Sequence, residues 1–205
     1  MKFIFPNTMF KRLYKSILYR LQRELKPEMI GGFKYAPSKK GVRISNTTHI
    51  SNPEKLSLGN NVFIGHFNYI DCCRGVTIGE GVQITNYCSV LNHSSHNSIR
   101  LHGTHYLEDS PDNLLGLVEG PIQIGDYTYI GAHAVIMPGT TLGKGIIVGA
   151  FSYVKPGNYP DYAVLRGIPA TVVGDSREID AKYLSQFPEL ATKYYRNESN
   201  GNTES

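Results

Sequence analysis

Aliphatic residues return at every sixth position in the second half of the chain, with polar and glycine-rich residues between them. This period fits neither an α-helix, which repeats every ~3.6 residues, nor a strand, which repeats about every two. The main series is Ile124, Ile130, Ile136, Leu142, Val148 and Val154. Shorter series, in other phases, are Leu58, Ile64, Ile70 and Ile78, Ile84, Val90. A fixed internal period of this kind predicts a solenoid.

The period of six has a geometric interpretation. A strand of about five residues ends in a sharp corner, and three such sides close a triangular coil that pairs in parallel with the next coil. The aliphatic residue fills the interior, and the fifth residue of each hexad, usually small, also points inward. These fifth residues are Thr128, Ala134, Thr140, Ile146 and Ser152, with Val82 and Cys88 in an earlier phase. The fold class predicted is therefore an all-β parallel helix, whose open ends need covers such as the two terminal segments.

Four segments follow from the pattern. Residues 1–30 read as a helix, 31–57 as irregular opening coils, 58–173 as the repeat domain, and 174–205 as a short helix with a polar tail. The repeat is interrupted at 93–121, which is long for a connection. Long loops in compact domains usually carry function.

The N-terminal segment carries the basic charge. Residues 1–30 contain seven Lys and Arg against two Glu, whereas the remainder has 14 against 15. Its apolar residues recur at steps of three and four: Phe10, Leu13, Tyr14, Ile17, Leu18, Leu21 and Leu25. Such a helix, spanning residues 10–25, could lie on an anionic membrane surface or pack on the protein or on a neighbouring subunit. The nearly neutral remainder argues against nucleic-acid binding.

Composition narrows the class and the compartment. No apolar run approaches the ~20 residues that cross a bilayer, and the N-terminus lacks the apolar core of a signal peptide. Three cysteines without metal-ligand spacing favour a reducing compartment. We therefore expect a cytoplasmic protein, and contact of residues 10–25 with the inner face of the membrane is an alternative left open.

Three stretches resemble the hexapeptide-repeat acyltransferases, over about residues 58–173. They are "NHSSHNSIRLHG", "YIGAHAVIMPGTTLGKGIIVGAFSYV" and "YAVLRGIPATVVG". The chain is most similar to the sugar O-acetyltransferases of that family. The resemblance implies a left-handed parallel β-helix, acetyl-CoA as donor, a sugar or glycan acceptor, and a homotrimer in which a histidine of one subunit faces the donor groove of the next.

His93 is the candidate general base. It directly follows a repeat strand, and it matches the first histidine of the family's loop. Histidine suits this chemistry because it ionises near neutral pH. The pairs His93/His96 and His102/His105, with His66 as a third ligand, depart from the zinc-binding spacing of related carbonic anhydrases, so no metal is expected. A cysteine nucleophile is disfavoured, because no cysteine is paired in sequence with a base.

Acceptor contacts are expected from the coils that precede His93. The stretch "GHFNYID" resembles the segment that grips the sugar in the family, which implies roles for His66, Asn68 and Asp71. His96 is a further candidate within the loop. Asn68 and Asp71 may instead only satisfy a corner of the coil.

Donor contacts are expected from the coils after the loop. Gly131, Ala132, Gly149 and Ala150 match the family's coenzyme-binding positions, where small residues let an extended pantetheine approach the backbone. The N–H of Ala132 is the candidate donor to the reaction's oxyanion. Lys155 and Arg166 are candidates for the phosphates. Thr171 stands where relatives often have a basic residue, and this weakens the assignment of Arg166.

The function predicted is acetyl transfer from acetyl-CoA to a sugar hydroxyl in surface polysaccharide biosynthesis, directly and with help from His93. One alternative is N-acetylation of an amino sugar or nucleotide sugar, since an amine needs less help from a base. The other is a non-catalytic β-helix binding module, which would not bind coenzyme A.

Overall fold

The computed structural model describes residues 8–24, 26–30, 35–108, 110 and 113–194. Within these residues the chain winds through five triangular coils, and each coil gives one strand to each of three parallel sheets. The first two coils comprise β1 (Arg43–Ile44), β2 (His49–Ser51), β3 (Leu56–Leu58), β4 (Phe63–Ile64), β5 (Tyr69–Asp71) and β6 (Val76–Ile78). Regular coils therefore begin at Arg43, inside the segment 31–57 that the sequence suggested was irregular.

The third coil contains a long excursion between its second and third sides. Its strands are β7 (Gln83–Ile84), β8 (Ser89–Val90), β9 (His93–Ser94), β10 (Val118–Glu119) and β11 (Ile122–Ile124), with α2 (Ser98–His102) between β9 and β10. The antiparallel pair β9–β10 closes the base of the excursion. In its described residues (93–108, 110 and 113–121), the predicted loop is thus a hairpin-like insertion.

Two further coils and a C-terminal hairpin complete the stack. They comprise β12 (Tyr129–Ile130), β13 (Val135–Ile136), β14 (Thr140–Leu142), β15 (Ile147–Val148), β16 (Tyr153–Val154), β17 (Gly157–Tyr159), β18 (Ala163–Gly167) and β19 (Ala170–Asp175). β18 continues the first sheet in parallel, and β19 turns back along it in the antiparallel sense. At this end of the stack, the edge strand of the first sheet is therefore β19, the second strand of the hairpin.

The predicted aliphatic positions form continuous ladders in the core. In the first sheet Ile64 pairs with Ile84, Ile84 with Ile130, and Ile130 with Val148. All the predicted fifth positions are also buried, including Thr128, Ala134 and Cys88. The period of six is therefore confirmed as one side of a coil, with two inward positions per side.

Glycine follows many of the aliphatic residues because consecutive coils nearly touch there. A Cβ added to Gly125 would lie 2.5 Å from the carbonyl carbon of Gly143, one coil further on. A Cβ added to Gly131 would lie 2.6 Å from the nitrogen of Ala150. Any side chain at these positions would force the coils apart, so coil stacking requires the glycines.

A column of stacked aromatic rings follows one corner of the helix. Phe67, Tyr87, His133 and Phe151 come from four successive coils, and each adopts a left-handed backbone conformation. Their ring centroids are 5.1, 5.0 and 4.7 Å apart along the column, with interplanar angles of 14° or less. Stacking offsets part of the cost of placing bulky residues at positive φ.

The N-terminal end of the stack is covered differently from the prediction. The first coil is covered by residues 26–30, where the N–H of Ile30 donates to Ile44 O and the N–H of Asn46 donates to Glu28 O. At the other end α3 (Ser176–Gln186) begins at Asp175, whose side chain accepts from the Arg177 N–H. The N-terminal helix α1 (Thr8–Glu24) is not the cover, because its apolar side chains from Phe10 to Leu21 are 38–55% exposed. No helix in the described segments has the length and apolar content needed to cross a bilayer.

Candidate active site

The site lies at the corner between the second and third sheets, which we call the histidine edge. The turns at 72–75, 91–93 and 137–139 form this edge on three successive coils. The corner between the first and second sheets, with turns at 65–68, 85–88, 131–134 and 149–152, is called the alanine edge. The side of the second sheet separates the two edges within one chain.

Asn92 fixes the start of the excursion. Its side chain is fully buried, accepts from the Arg74 N–H at 3.0 Å and donates to Gly120 O at 2.9 Å. The N–H of Gly120 returns a hydrogen bond to Asn92 O. Asn92 therefore ties together both ends of the insertion and the coil before it, so the backbone at His93 is held from three sides.

His93 is hydrogen-bonded to a buried carboxylate. Its Nδ1 lies 2.6 Å from Asp71 Oδ2, and the side chains are 50% and 4% exposed, respectively. The other carboxylate oxygen, Oδ1, accepts from the Ser51 hydroxyl at 2.9 Å and from the Cys73 N–H at 3.1 Å. Asp71 is thus held rigidly behind an imidazole whose other side is open.

The ionisation of Asp71 fixes the tautomer of His93. Burial tends to raise the pKa of Asp71, but hydrogen bonds from the Cys73 N–H, Ser51 and His93 outweigh it and lower the pKa overall. The ionised carboxylate therefore stabilises the folded protein. This contribution to folding stability is present above the ordinary carboxyl pKa, and it is lost as the pH falls through the lowered pKa of Asp71. Because an ionised carboxylate only accepts, Nδ1 must carry the proton and Nε2 keeps its lone pair. The pair has the geometry of a general base and its orienting carboxylate.

An open cavity of about 370 Å³ adjoins His93. Its lining includes Lys55, Cys73 and Tyr106 and the ion pair between Arg74 and Glu119, whose atoms are 2.6 Å apart. Glu119 is the strand partner of His93, so this ion pair joins the excursion to the preceding coil. The cavity offers polar groups of both signs beside the open face of the imidazole.

The cysteines are poor nucleophiles. Burial, followed by the charge of Asp71, raises the pKa of Cys72 to about 12. Burial and the hydrogen bond to Asp71 raise the pKa of Cys73, and burial raises that of Cys88. All three remain thiols at neutral pH, and the thiolate is the reactive form.

The structure separates the predicted acceptor residues. Asp71 is not open to a substrate, because it is buried behind His93. Asn68 is also buried, donating to Thr85 O and accepting from the Cys88 N–H, both at 2.7 Å, so it serves the corner. His66 lies at the alanine edge with Nδ1 2.6 Å from Ser45 Oγ. His96 bonds to Ser94 Oγ and does not line the cavity.

The predicted donor residues share one edge, with one exception. Gly131, Ala132, Gly149 and Ala150 lie at the alanine edge, and a Cβ at Gly149 would lie 3.0 Å from Arg166 Cγ. Gly131 is buried against the next coil, so its lack of a side chain serves stacking rather than an open groove. The N–H of Ala132 donates to no acceptor among the described residues. Lys155 is exposed at the histidine edge instead.

Three features of the site escaped the sequence reasoning: the partnership of Asp71 with His93, the clamp at Asn92, and the proximity of Cys73. One signal was present. Ile70 pairs with Val90 in the second sheet, so the residues just after them must follow each other around one corner. Aligning the two short series of aliphatic residues would have placed Asp71 beside the start of the insertion.

Comparisons with known proteins agree on the family. Residues 121–156 match the family described as bacterial transferase hexapeptide (six repeats). Galactoside O-acetyltransferase of Escherichia coli K12 is 30% identical, over 68% of this chain and 66% of its own length. A putative lipopolysaccharide biosynthesis O-acetyl transferase of the same strain, WbbJ, is 28% identical over 58% and 59%, respectively. The matched part of this chain spans 66% and 59% of the lengths of these two relatives, and 42% of the length of a third curated relative.

A solved structure confirms the architecture. Galactoside acetyltransferase in complex with coenzyme A superimposes with a TM-score of 0.59, covering 88% of each chain at 22% identity. The fold is accordingly a left-handed parallel β-helix. The chain belongs to the hexapeptide-repeat acyltransferases.

The Asp71–His93 contact makes a prediction for the neutral imidazole. In the wild-type protein we expect His93 to carry its proton on Nδ1. In Asp71→Asn the ratio of the Nδ1-protonated to the Nε2-protonated tautomer should fall by ~10-fold or more, because a hydrogen bond to a charged acceptor is worth about 1.5–3 kcal/mol. Nitrogen-15 NMR of the ring, assigned with His93→Ala, measures both. A wild-type His93 protonated on Nε2 would contradict the assignment.

Proposed function

We propose that this protein transfers an acetyl group from acetyl-CoA to a hydroxyl of a sugar, in the assembly of a surface polysaccharide. The observation that carries the proposal is the buried Asp71 behind a half-exposed His93 at the mouth of a cavity. Membership of the acyltransferase family supports a coenzyme A thioester as donor. The similarity to a putative lipopolysaccharide O-acetyl transferase supports the acceptor class.

His93 acts as the base in this proposal. Asp71 accepts a hydrogen bond from the Nδ1–H, so the proton stays on Nδ1 and the Nε2 lone pair is left to face the cavity. Nε2 takes the proton of the sugar hydroxyl while its oxygen attacks the thioester carbonyl. The tetrahedral intermediate collapses to the sugar ester, and the leaving coenzyme A thiolate receives the proton from the imidazolium. Asp71 stabilises the imidazolium without taking its proton.

The Ala132 N–H is the proposed donor to the oxyanion. It is available because no described residue uses it, and a backbone donor at a rigid corner is preorganised. Ala132 and Ala150 would flank the pantetheine, with Arg166 placed near Gly149 for a phosphate. Lys155 would reach the donor only from another chain's histidine edge.

This division requires a second chain. His93 and Ala132 lie at different edges of the same helix, with the second sheet between them. A site containing both therefore forms where the histidine edge of one subunit meets the alanine edge of another. A head-to-tail contact of this kind closes into a ring when its rotation allows, and we propose the homotrimer that the resemblance to the family implies. His66, at the alanine edge, would then face the acceptor across the interface.

Loss of His93 should abolish transfer without abolishing donor binding. We expect His93→Ala to lower kcat by at least ~10²-fold, because a positioned general base contributes about 10²–10⁴-fold. Binding of coenzyme A, measured by calorimetry, should be retained. Transfer in cells is measured as the acetylation of surface glycans, by mass spectrometry of glycans from cells that lack the gene and are complemented with each variant. Acetyl groups removed by mild base are esters, whereas N-acetyl groups resist.

His105→Ala is the matched control. His105 is an exposed histidine of the same insertion, paired with Glu108 and absent from the cavity lining. It should restore acetylation as the wild type does. Base-resistant acetylation would favour the amino-sugar alternative. Neither acetylation nor coenzyme A binding by the wild type would favour a binding module.

We also propose that α1 holds the enzyme at the cytoplasmic face of a membrane. Phe10, Leu13, Ile17 and Leu21 share one face of the helix and are 49–55% exposed. The body does not cover them, so packing on the protein's own body is not the explanation. Arg20 is exposed beside this face, and Arg12 and Lys15 are exposed on the opposite side of the helix. An amphipathic helix with cations on its polar side suits a surface of anionic lipid.

Vesicle binding by the full chain tests this role. The double variant Ile17→Glu/Leu21→Glu should bind vesicles of phosphatidylcholine and phosphatidylglycerol at least ~10-fold more weakly, since each apolar side chain contributes about 1.5–3 kcal/mol on burial. Tyr19→Glu, on the opposite face, should bind as the wild type does. Equal binding by both variants, or wild-type binding only in the absence of anionic lipid, would contradict the proposal.

A further inference from the structure

Three different metal-ligating atoms meet at the histidine edge. Asp71 Oδ2, Cys73 Sγ and His93 Nδ1 all lie within 4.8 Å of one another. The sulfur is 3.4 Å from both other atoms, and Oδ2 is 2.6 Å from Nδ1. No other group of three or more such residues occurs in the described part of the chain. Of the two histidine pairs considered from the sequence, only His93 takes part. His96 bonds to Ser94, His102 accepts from the Leu115 N–H, and His105 pairs with Glu108.

The spacing of these atoms suits tetrahedral zinc. With Zn–S near ~2.3 Å and Zn–N and Zn–O near ~2.0 Å, tetrahedral ligands lie roughly 3.3–3.5 Å apart. The two sulfur distances already have this value. Only Nδ1 and Oδ2 must separate, by about 0.7 Å, when an ion replaces the proton between them.

The surroundings hold two of the ligands in place and leave room for the ion. Asp71 Oδ1 is occupied by Ser51 and the Cys73 N–H, so Oδ2 is the oxygen directed at the ion. Cys73 follows Asp71 by two residues on the same turn, so their separation is set by a local backbone fold. Cys73 and His93 both line the open cavity, which gives an ion access and leaves a fourth position for water.

We propose that Asp71, Cys73 and His93 bind Zn²⁺ and that the bound ion switches off the catalytic base. The inhibitory part rests on the proposed acetyl transfer, whereas the binding part does not. A zinc ion on Nδ1 forces the imidazole proton onto Nε2. The Cys73 thiol loses its proton to solvent, so one proton is released per ion. Nε2 then has no lone pair with which to take the proton of the acceptor hydroxyl.

Cobalt is the probe for the binding part. Co²⁺ added to the full-length, metal-free protein should give one tetrahedral site per chain, with a thiolate-to-cobalt charge-transfer band in the near ultraviolet. Zn²⁺ should displace it. Cys73→Ser should lose the charge-transfer band. Asp71→Asn should bind at least ~10-fold more weakly, because loss of a group that only supports a metal ligand already costs about 10–100-fold. His105→Ala should behave as the wild type does.

The outcomes separate binding, regulation and fold. Circular dichroism of Cys73→Ser establishes that it is folded, and Asp71→Asn supplies an independent variant. A charge-transfer band that persists in folded Cys73→Ser, or no cobalt binding by the wild type, would overturn the site.

Activity tests the regulatory part separately. Acetyl transfer by the wild type should fall at least ~10-fold on saturation with Zn²⁺ and return on adding a chelator, because a positioned base contributes at least that much. Saturated but fully active protein would overturn the switch. The proposed function would be refuted if the protein transferred no acetyl group in the absence of metal. Cobalt binding at Cys73 in the same protein would still support the metal site.

Discussion

The rest of the structure depends on one constraint, the stacking of each coil on the next at the same inward positions. The sides of the coils place one aliphatic residue over another, as Ile64, Ile84 and Ile130 do in the first sheet, and β17 departs from this by placing Tyr159 over Leu142. Because the coils approach so closely, a residue such as Gly125 has no room for even a methyl group. The strands of the coils are short, and they pair with strands of the adjacent coils. Each coil therefore depends mainly on its two neighbours for stability. Apart from these glycines, the corner residues differ from one coil to the next within the chain.

The candidate site uses this division between fixed sides and variable corners. Asp71 and His93 come from corners of successive coils, and their meeting follows from the pairing of Ile70 with Val90 just before them. The excursion then leaves the helix without disturbing the stack, because buried Asn92 closes its base. Asp71, the last residue of β5, supplies the carboxylate, and His93, at the anchored start of the insertion, supplies the imidazole. The result is an oriented base with an open face, which is the arrangement that proton transfer requires.

Much of the fold could be predicted from the sequence, since a period of six over several repeats has few physical solutions. Less of the site could be. His93 stood out by residue type and position, but Asp71 looked like a substrate contact because its burial is a property of the packed corner. Gly131 looked like the floor of a groove, whereas its Cα faces the backbone of the next coil. The regularity of the first coil was also missed, because Ile44 and Ile50 alone are too short a series to establish a period. The cover at residues 26–30 has no periodic signal at all.

The division of functional residues between two edges gives the account its central claim: the base and the oxyanion donor belong to different subunits. A crystal structure of the protein with coenzyme A measures this directly. The account predicts the coenzyme sulfur beside the Ala132 N–H at the alanine edge of one subunit, and within reach of His93 Nε2 of a neighbouring subunit. Coenzyme A bound along another edge, or with its sulfur remote from every His93, would contradict it.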